Sequence, residues 1–156
     1  MPLVVPRKVT FLAKSEYFTS PGPKGFIKKL TFIALGQVPV DRSGGRRSEA
    51  ALITGLQVLA EGNSLGIYPE GTRSRDGMLY KGHTGAARLA IKLGCPIFPV
   101  GIVGTREIQP PDTSLPRLGG TVKISIGRPI NVARYTERAN DPLALREITD
   151  ELMFEI

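Results

Sequence analysis

Leu65-Gly66-Ile67-Tyr68-Pro69-Glu70-Gly71-Thr72-Arg73-Ser74 is the stretch on which the reading of this chain turns. Its first four residues are a short apolar run, which reads as a buried strand. A polar turn follows at once. It holds a carboxylate, a glycine, hydroxyls and a guanidinium within five positions. A strand that ends in such a turn sets polar groups at the carboxyl edge of a sheet, where open α/β folds bind ligands. Arg73 has the planar fork that grips a phosphate through two bonds. Gly71 lets the backbone come close to a ligand. The plainer reading is a tight turn in which Glu70 pairs with Arg73 and Gly71 only supplies backbone angles.

The flanking sequence supplies the rest of a fold. Residues 9–13 read as a strand. Phe26, Ile27, Leu30, Ile33 and Ala34 recur at helical spacing, with Pro23 and Lys24 ahead and Gly36 as a stop. Val38-Pro39-Val40 is a short strand, and Pro39 assigns it to an edge or to broken pairing. Residues 48–61 form a helix with Leu52, Leu56, Leu59 and Ala60 as its stripe and Gly62 just past its end. Residues 65–68 are the next strand and 84–93 the next helix, closed by Gly94. Strands follow at 97–103 and 121–126, with a Pro- and Gly-rich loop over 109–120. A last helix spans 141–156, with Leu145, Ile148, Leu152 and Ile156 on one face. This alternation predicts an α/β fold: a mixed, partly parallel sheet flanked by helices. Both ends are apolar and uncapped, so the expectation is one partial domain over 1–156 whose N-terminal part is missing.

Composition narrows the partners. The chain has 156 residues, 41% of them apolar, enough for one core. Lys and Arg outnumber Asp and Glu 21 to 14, a net charge of +7. That surplus suits phosphate groups, an anionic membrane, acyl-CoA, an acidic carrier protein or nucleic acid. Nucleic acid has only the charge behind it, because no aromatic platform is interleaved with the basic residues. Cys95 is the only cysteine, so no internal disulfide forms, and its apolar surroundings read as those of an inert thiol. One Cys and one His make no metal-ligand cluster, so no metal is expected. The longest nearly apolar run, 94–104, is too short to span a bilayer, and Pro2 and Pro6 interrupt the N-terminal apolar stretch.

A second polar cluster follows the strand at residues 38–40. In Gly36-Gln37-Val38-Pro39-Val40-Asp41-Arg42, Arg42 ends a strand beside the turn Ser43-Gly44-Gly45-Arg46-Arg47. Arg42 is placed to receive a phosphate, with the positive end of the following helix adding to the field. A solvated basic loop explains the same residues. Lys81 adds positive charge after the first turn. His83, in Lys81-Gly82-His83-Thr84-Gly85, reads as the neighbour of a helix start. Phe26-Ile27-Lys28-Lys29-Leu30 suits an interfacial segment on anionic lipid, or a core helix with exposed lysines.

Tyr68-Pro69-Glu70-Gly71-Thr72-Arg73-Ser74 resembles the Phe/Tyr-Pro-Glu-Gly-Thr-Arg-Ser signature of the glycerolipid acyltransferases, the 1-acyl-glycerol-3-phosphate acyltransferase family. Gly36–Arg42 resembles that family's Gly-x-Ile/Val-x-Ile/Val-Asp/Asn-Arg block, with Pro39 where an aromatic is usual. Cys95-Pro96-Ile97-Phe98-Pro99-Val100 is similar to its Pro-containing apolar block. The resemblance implies acyl transfer from acyl-CoA or acyl carrier protein to lysophosphatidate, on the cytoplasmic side of a membrane to which the protein binds peripherally. It implies no cofactor beyond the acyl donor. The substrate-binding residues it implies are Arg42, Glu70, Gly71, Thr72 and Arg73, with Lys81 and Pro99 as secondary candidates. The family's base is the His of a His-x4-Asp pair, which takes the proton of the attacking hydroxyl while the Asp orients it. These 156 residues contain no such pair, since Arg88 stands five positions after His83. The expectation is that the pair lies before Met1 and that the chain alone turns over poorly. The other reading is a non-catalytic module that binds lipid phosphate at a membrane surface.

Overall fold

Three parallel strands organise the first part of the chain. In this computed structural model, residues 6–14, 18, 22–34, 36–40, 47–111, 113 and 115–156 are described. They belong to two compact units, Met1–Ile67 and Tyr68–Ile156. In the first unit, β1 (Val9–Lys14) is the middle strand. It pairs with β2 (Gln37–Val40), Phe11 opposite Gln37, and with β3 (Ser64–Gly66), Phe11 opposite Gly66. Parallel neighbours need a crossover between them. The helices α1 (Pro23–Ala34) and α2 (Arg47–Ala60) supply the two crossovers. Pro39 sits in the edge strand β2, where its missing N–H does least harm. Val9, Thr10, Ala13, Val40 and Val58 are buried.

The α2 terminus is built as its sequence signals. The N–H of Gly62 bonds the carbonyl of Leu59 at 3.0 Å, and that of Asn63 bonds Val58 at 3.2 Å. Gly62 holds φ at +77°, which the absence of a Cβ permits. Helix α1 is oriented less conventionally. Gly25 is buried and Phe32 packs beside Phe18, their ring centroids 5.7 Å apart. The apolar stripe of Phe26, Ile27, Leu30 and Ile33 faces outward instead.

The second unit holds α3 (Gly85–Leu93), β4 (Val100–Val103), α4 (Thr105–Ile108), β5 (Lys123–Ile126), a 3₁₀ helix (Ala133–Arg138) and α5 (Pro142–Glu155). Strands β4 and β5 are antiparallel, Val100 opposite Ile126 and Val103 opposite Lys123. The described strands thus form two sheets, a parallel one of three strands in the first unit and an antiparallel one of two in the second, in keeping with the α/β class that the sequence predicts. The core joins Ala87, Ala90 and Ile91 of α3 to Val132, Tyr135, Ala144, Leu145 and Ile148, with Cys95 and Ile97 packed on it. Burial raises the Cys95 pKa, which keeps the thiol protonated. Ile91 and Ile148 are almost inaccessible, and each contributes roughly 1.5–3 kcal/mol. Asp141 caps α5: its carboxylate accepts from the Leu143 N–H at 2.9 Å, and Pro142 takes the first helical position.

Several boundaries differ from the sequence reading. The strand expected over 97–103 is regular only from Val100. Pro99 has no N–H to donate, and Ile97 makes an isolated bridge with Ile130 before the regular ladder starts. The strand expected at 65–68 ends at Gly66, and Ile67 and Tyr68 are exposed. Helix α4 and the 3₁₀ helix fall in stretches that carry no periodic signal, being one or two turns long. Among the described residues no helix is long and apolar enough to cross a membrane. Nor is any group of three or more His, Cys, Asp or Glu side chains there placed to hold a metal ion.

Candidate functional site

Two tight turns in succession shape residues 68–80. In the first, the N–H of Gly71 bonds the carbonyl of Tyr68 at 3.0 Å, with Pro69 and Glu70 at the centre. Proline suits the second position of such a turn and glycine the fourth. Gly71 has φ of +71°, so the turn also uses its conformational freedom. In the second, Asp76 gathers the chain around its carboxylate. It accepts from Ser74 Oγ and from the Met78 N–H, both at 3.0 Å, and from the Tyr80 hydroxyl. Ser74 Oγ in turn accepts from the Gly77 N–H at 2.9 Å. These donors, Tyr80 first and then Met78 and Ser74, lower the Asp76 pKa from 3.8 to about 2. The same bond raises the Tyr80 pKa, so its hydroxyl keeps its proton.

An open cleft of about 300 Å³ lies along this segment, lined by Glu70, Thr72, Arg73, Ser74, Arg75, Asp76, Tyr80 and Lys81. Four of the sequence candidates, Glu70, Thr72, Arg73 and Lys81, therefore share one cavity. Gly71 shapes the turn beneath it. Arg73 donates from Nη2 to the carbonyl of Pro111 at 3.2 Å. Among the described residues no carboxylate lies within ion-pair distance of Arg73, so the turn is not held by a Glu70–Arg73 pair. Three cations line the cleft, and Asp76, one of its two acids, is committed to the turn. The arrangement suits a small anionic ligand with hydroxyl groups: guanidinium and ammonium for the phosphate, Glu70 as an acceptor for a hydroxyl.

Two supports of the site were not visible in the sequence. The His83 N–H bonds the carbonyl of Pro69 at 2.8 Å, closing the 69–83 segment into a loop. The His83 ring lies over Gly71, where a methyl group would come within 3.3 Å of Cδ2. His83 is thus a neighbour of the first turn as well as of the α3 start. Gly82 packs on α5, where an added Cβ would meet Met153 Sδ at 2.8 Å. Pro99 is fully buried and is not part of the cleft lining. Arg42 lies outside the described residues, as do Ser43-Gly44-Gly45-Arg46.

Comparison with known proteins bears on the same segment. Residues 1–103 match the acyltransferase family model, a range that includes the whole 68–81 segment. The chain is 30% identical over 131 residues to the chloroplastic 1-acyl-sn-glycerol-3-phosphate acyltransferase LPAT1 of Arabidopsis thaliana, covering 84% of this chain and 35% of that one. It is 34% identical over 96 residues to the chloroplastic 1-acyl-sn-glycerol-3-phosphate acyltransferase BAT2 of Brassica napus, covering 62% of this chain and 28% of that one. The crystal structure of the 1-acyl-sn-glycerophosphate acyltransferase PlsC of Thermotoga maritima superposes with a TM-score of 0.62 at 26% identity, covering 94% of this chain and 54% of that one. The chain thus spans about a third of the length of the two plant relatives.

Proposed function

The chain belongs to the acyltransferase family, and from that premise we propose that it carries the acceptor-binding part of a lysophosphatidate acyltransferase. The reaction is transfer of an acyl group from acyl-CoA or acyl carrier protein to the free hydroxyl of lysophosphatidate, giving phosphatidate. The observation that carries this reading is the joint lining of one cleft by Glu70, Thr72, Arg73 and Lys81, with Arg73 unclaimed by a carboxylate among the described residues. Arg73 holds the acceptor phosphate through its planar fork, and Lys81 adds to the local positive potential. Glu70 accepts from a glycerol hydroxyl. Gly71 keeps the backbone flush so that the acceptor lies against the turn. The family resemblance of residues 36–42 adds Arg42 as a further candidate for phosphate binding. The acyl donor is the only further reactant, and no cofactor or metal takes part.

The relatives' names support the catalytic reading over a non-catalytic lipid-phosphate module. The acceptor is a lipid and the chain carries a net charge of +7, which supports peripheral binding to an anionic membrane on its cytoplasmic face. The test is calorimetric titration of the chain with sn-glycerol 3-phosphate and with short-chain lysophosphatidate. Both are expected to bind, and Arg73→Ala to weaken both about tenfold or more, as loss of a charge-assisted pair does. Since the 156 residues hold no His-x4-Asp pair, thioester cleavage by them alone is expected to be slow. Binding left unchanged by Arg73→Ala would sink the assignment of the phosphate site.

A further inference from the structure

Helix α1 leaves its apolar side in water. Its apolar stripe is exposed: Phe26 by 63%, Ile27 by 64%, Leu30 by 51% and Ile33 by 49%. Of its described residues, Gly25 is buried and Phe32 half-buried beside Phe18. A helix on a water-facing surface buries its apolar stripe and shows its polar side. This one leaves its apolar stripe in water, together with Lys29 and Thr31. Lone exposed apolar residues need no explanation, but a continuous strip of four does. The helix also carries Lys24, Lys28 and Lys29 and no acidic residue.

We infer that α1 is a docking element for an anionic phospholipid surface, with Phe26, Ile27, Leu30 and Ile33 entering the headgroup and acyl boundary. Charge selects this occupant: an all-basic helix with a bulky apolar face fits a negatively charged bilayer surface. A second copy of the chain fits less well. Twelve residues make a helix of about 18 Å. One side of such a helix falls well short of the roughly 800 Å² per partner of a stable interface. The inference deepens the membrane-surface part of the proposed function, yet its test needs no turnover and no acceptor binding.

The chain contains no tryptophan, so Phe26→Trp creates a single reporter. Vesicles of phosphatidylcholine and phosphatidylglycerol with brominated acyl chains are expected to shift its emission to the blue and quench it. Ile33→Trp is the second reporter should the first variant fold poorly. Leu30→Ser and Ile27→Ser keep the net charge and are each expected to weaken vesicle partitioning about tenfold. Leu118→Ser, at an exposed residue of the other unit, is expected to leave it unchanged. An unquenched reporter, or Ser variants that partition like the parent, would overturn the inference by reducing binding to charge alone. So would a dimer seen by sedimentation without lipid that Leu30→Ser dissolves, since the face would then belong to a second copy. Vesicle docking without glycerol phosphate binding would overturn the cleft assignment and leave α1 standing, and the opposite result would do the reverse.

Discussion

Arg146 of α5 donates from Nη1 to the carbonyl of Gly82 at 2.8 Å, across 64 residues of sequence. The same guanidinium bonds Asp150 one turn further along α5, which lowers the Asp150 pKa. The cleft segment is therefore tied at its far end to α5, whose Leu145 and Ile148 lie in the core of the second unit. Gly82 has no side chain because Thr149 and Met153 of α5 fill the space. Arg146→Ala is expected to lower the stability of the second unit by about 1–3 kcal/mol, the range for stripping a partner from a part-buried polar group. Amide exchange at His83, whose N–H holds the Pro69 carbonyl, is expected to speed up in the same variant. Arg146→Lys keeps the charge but not the fork, and is expected to fall between. A urea midpoint and a His83 exchange rate both like the parent's would show that the tie does not hold the segment.

Gly71 faces a double constraint. Its φ of +71° is one that residues with a Cβ adopt at a cost of about 1–2 kcal/mol. The added methyl group would also press on the His83 ring at 3.3 Å. Gly71→Ala is expected to destabilise the chain by about that amount and to shift the ring resonances of His83, the only histidine. His83→Ala removes the obstacle but not the backbone strain. The double variant is thus expected to recover the smaller part of the loss, which a double-mutant cycle by urea unfolding measures.

Acid should loosen the 74–80 turn in a definite window. The folded-state pKa of Asp76 lies at about 2, below its ordinary 3.8. Its ionised form is the one the fold favours. The contribution is therefore present in full above the ordinary value and is lost as pH falls from 3.8 toward about 2. Carboxyl-carbon NMR is expected to place the Asp76 midpoint near the lower figure. In Asp76→Asn the Tyr80 hydroxyl loses its charged acceptor, so its raised pKa is expected to fall back toward the ordinary tyrosine range. A Tyr80 titration identical in the two proteins would show that the bond does not persist in solution.

The sequence carried the local order of this fold better than its long-range ties. Gly62 announced the end of α2, and Pro39 announced an edge strand, because each acts through its own backbone. The 70–73 motif and Lys81 were legible because a turn keeps neighbours in sequence neighbours in space. His83 over Gly71 and Arg146 on Gly82 were not legible, since each depends on how segments meet and no periodicity encodes that. The α1 stripe shows a second limit. Spacing of Phe26, Ile27, Leu30 and Ile33 specifies one apolar face, but the same spacing serves a face turned to a core and a face turned outward. Pro99 illustrates a third: its apolar setting indicated burial, and its place in a family block could not say whether a cavity lay beside it.

Phe11 and Gly66 stand opposite each other in β1 and β3, and the Phe11 ring covers the space a side chain at 66 would need. A Cβ there would lie 2.4 Å from Phe11 Cε1. The ring must move or the strands must part, because both backbones are fixed by parallel pairing. Gly66→Ala is expected to cost about 1–3 kcal/mol, the range for forcing extra volume into a packed site. Phe11→Leu alone removes ring volume and is expected to destabilise as well, since the space over Gly66 is left partly empty. The double variant fills that space with the new methyl group. It is expected to be more stable than the sum of the two losses predicts, by about 1 kcal/mol or more, as contacting residues in a cycle commonly show. Losses that simply add would mean that the ring does not rest on Gly66, and that β3 is glycine at this position for a reason other than space.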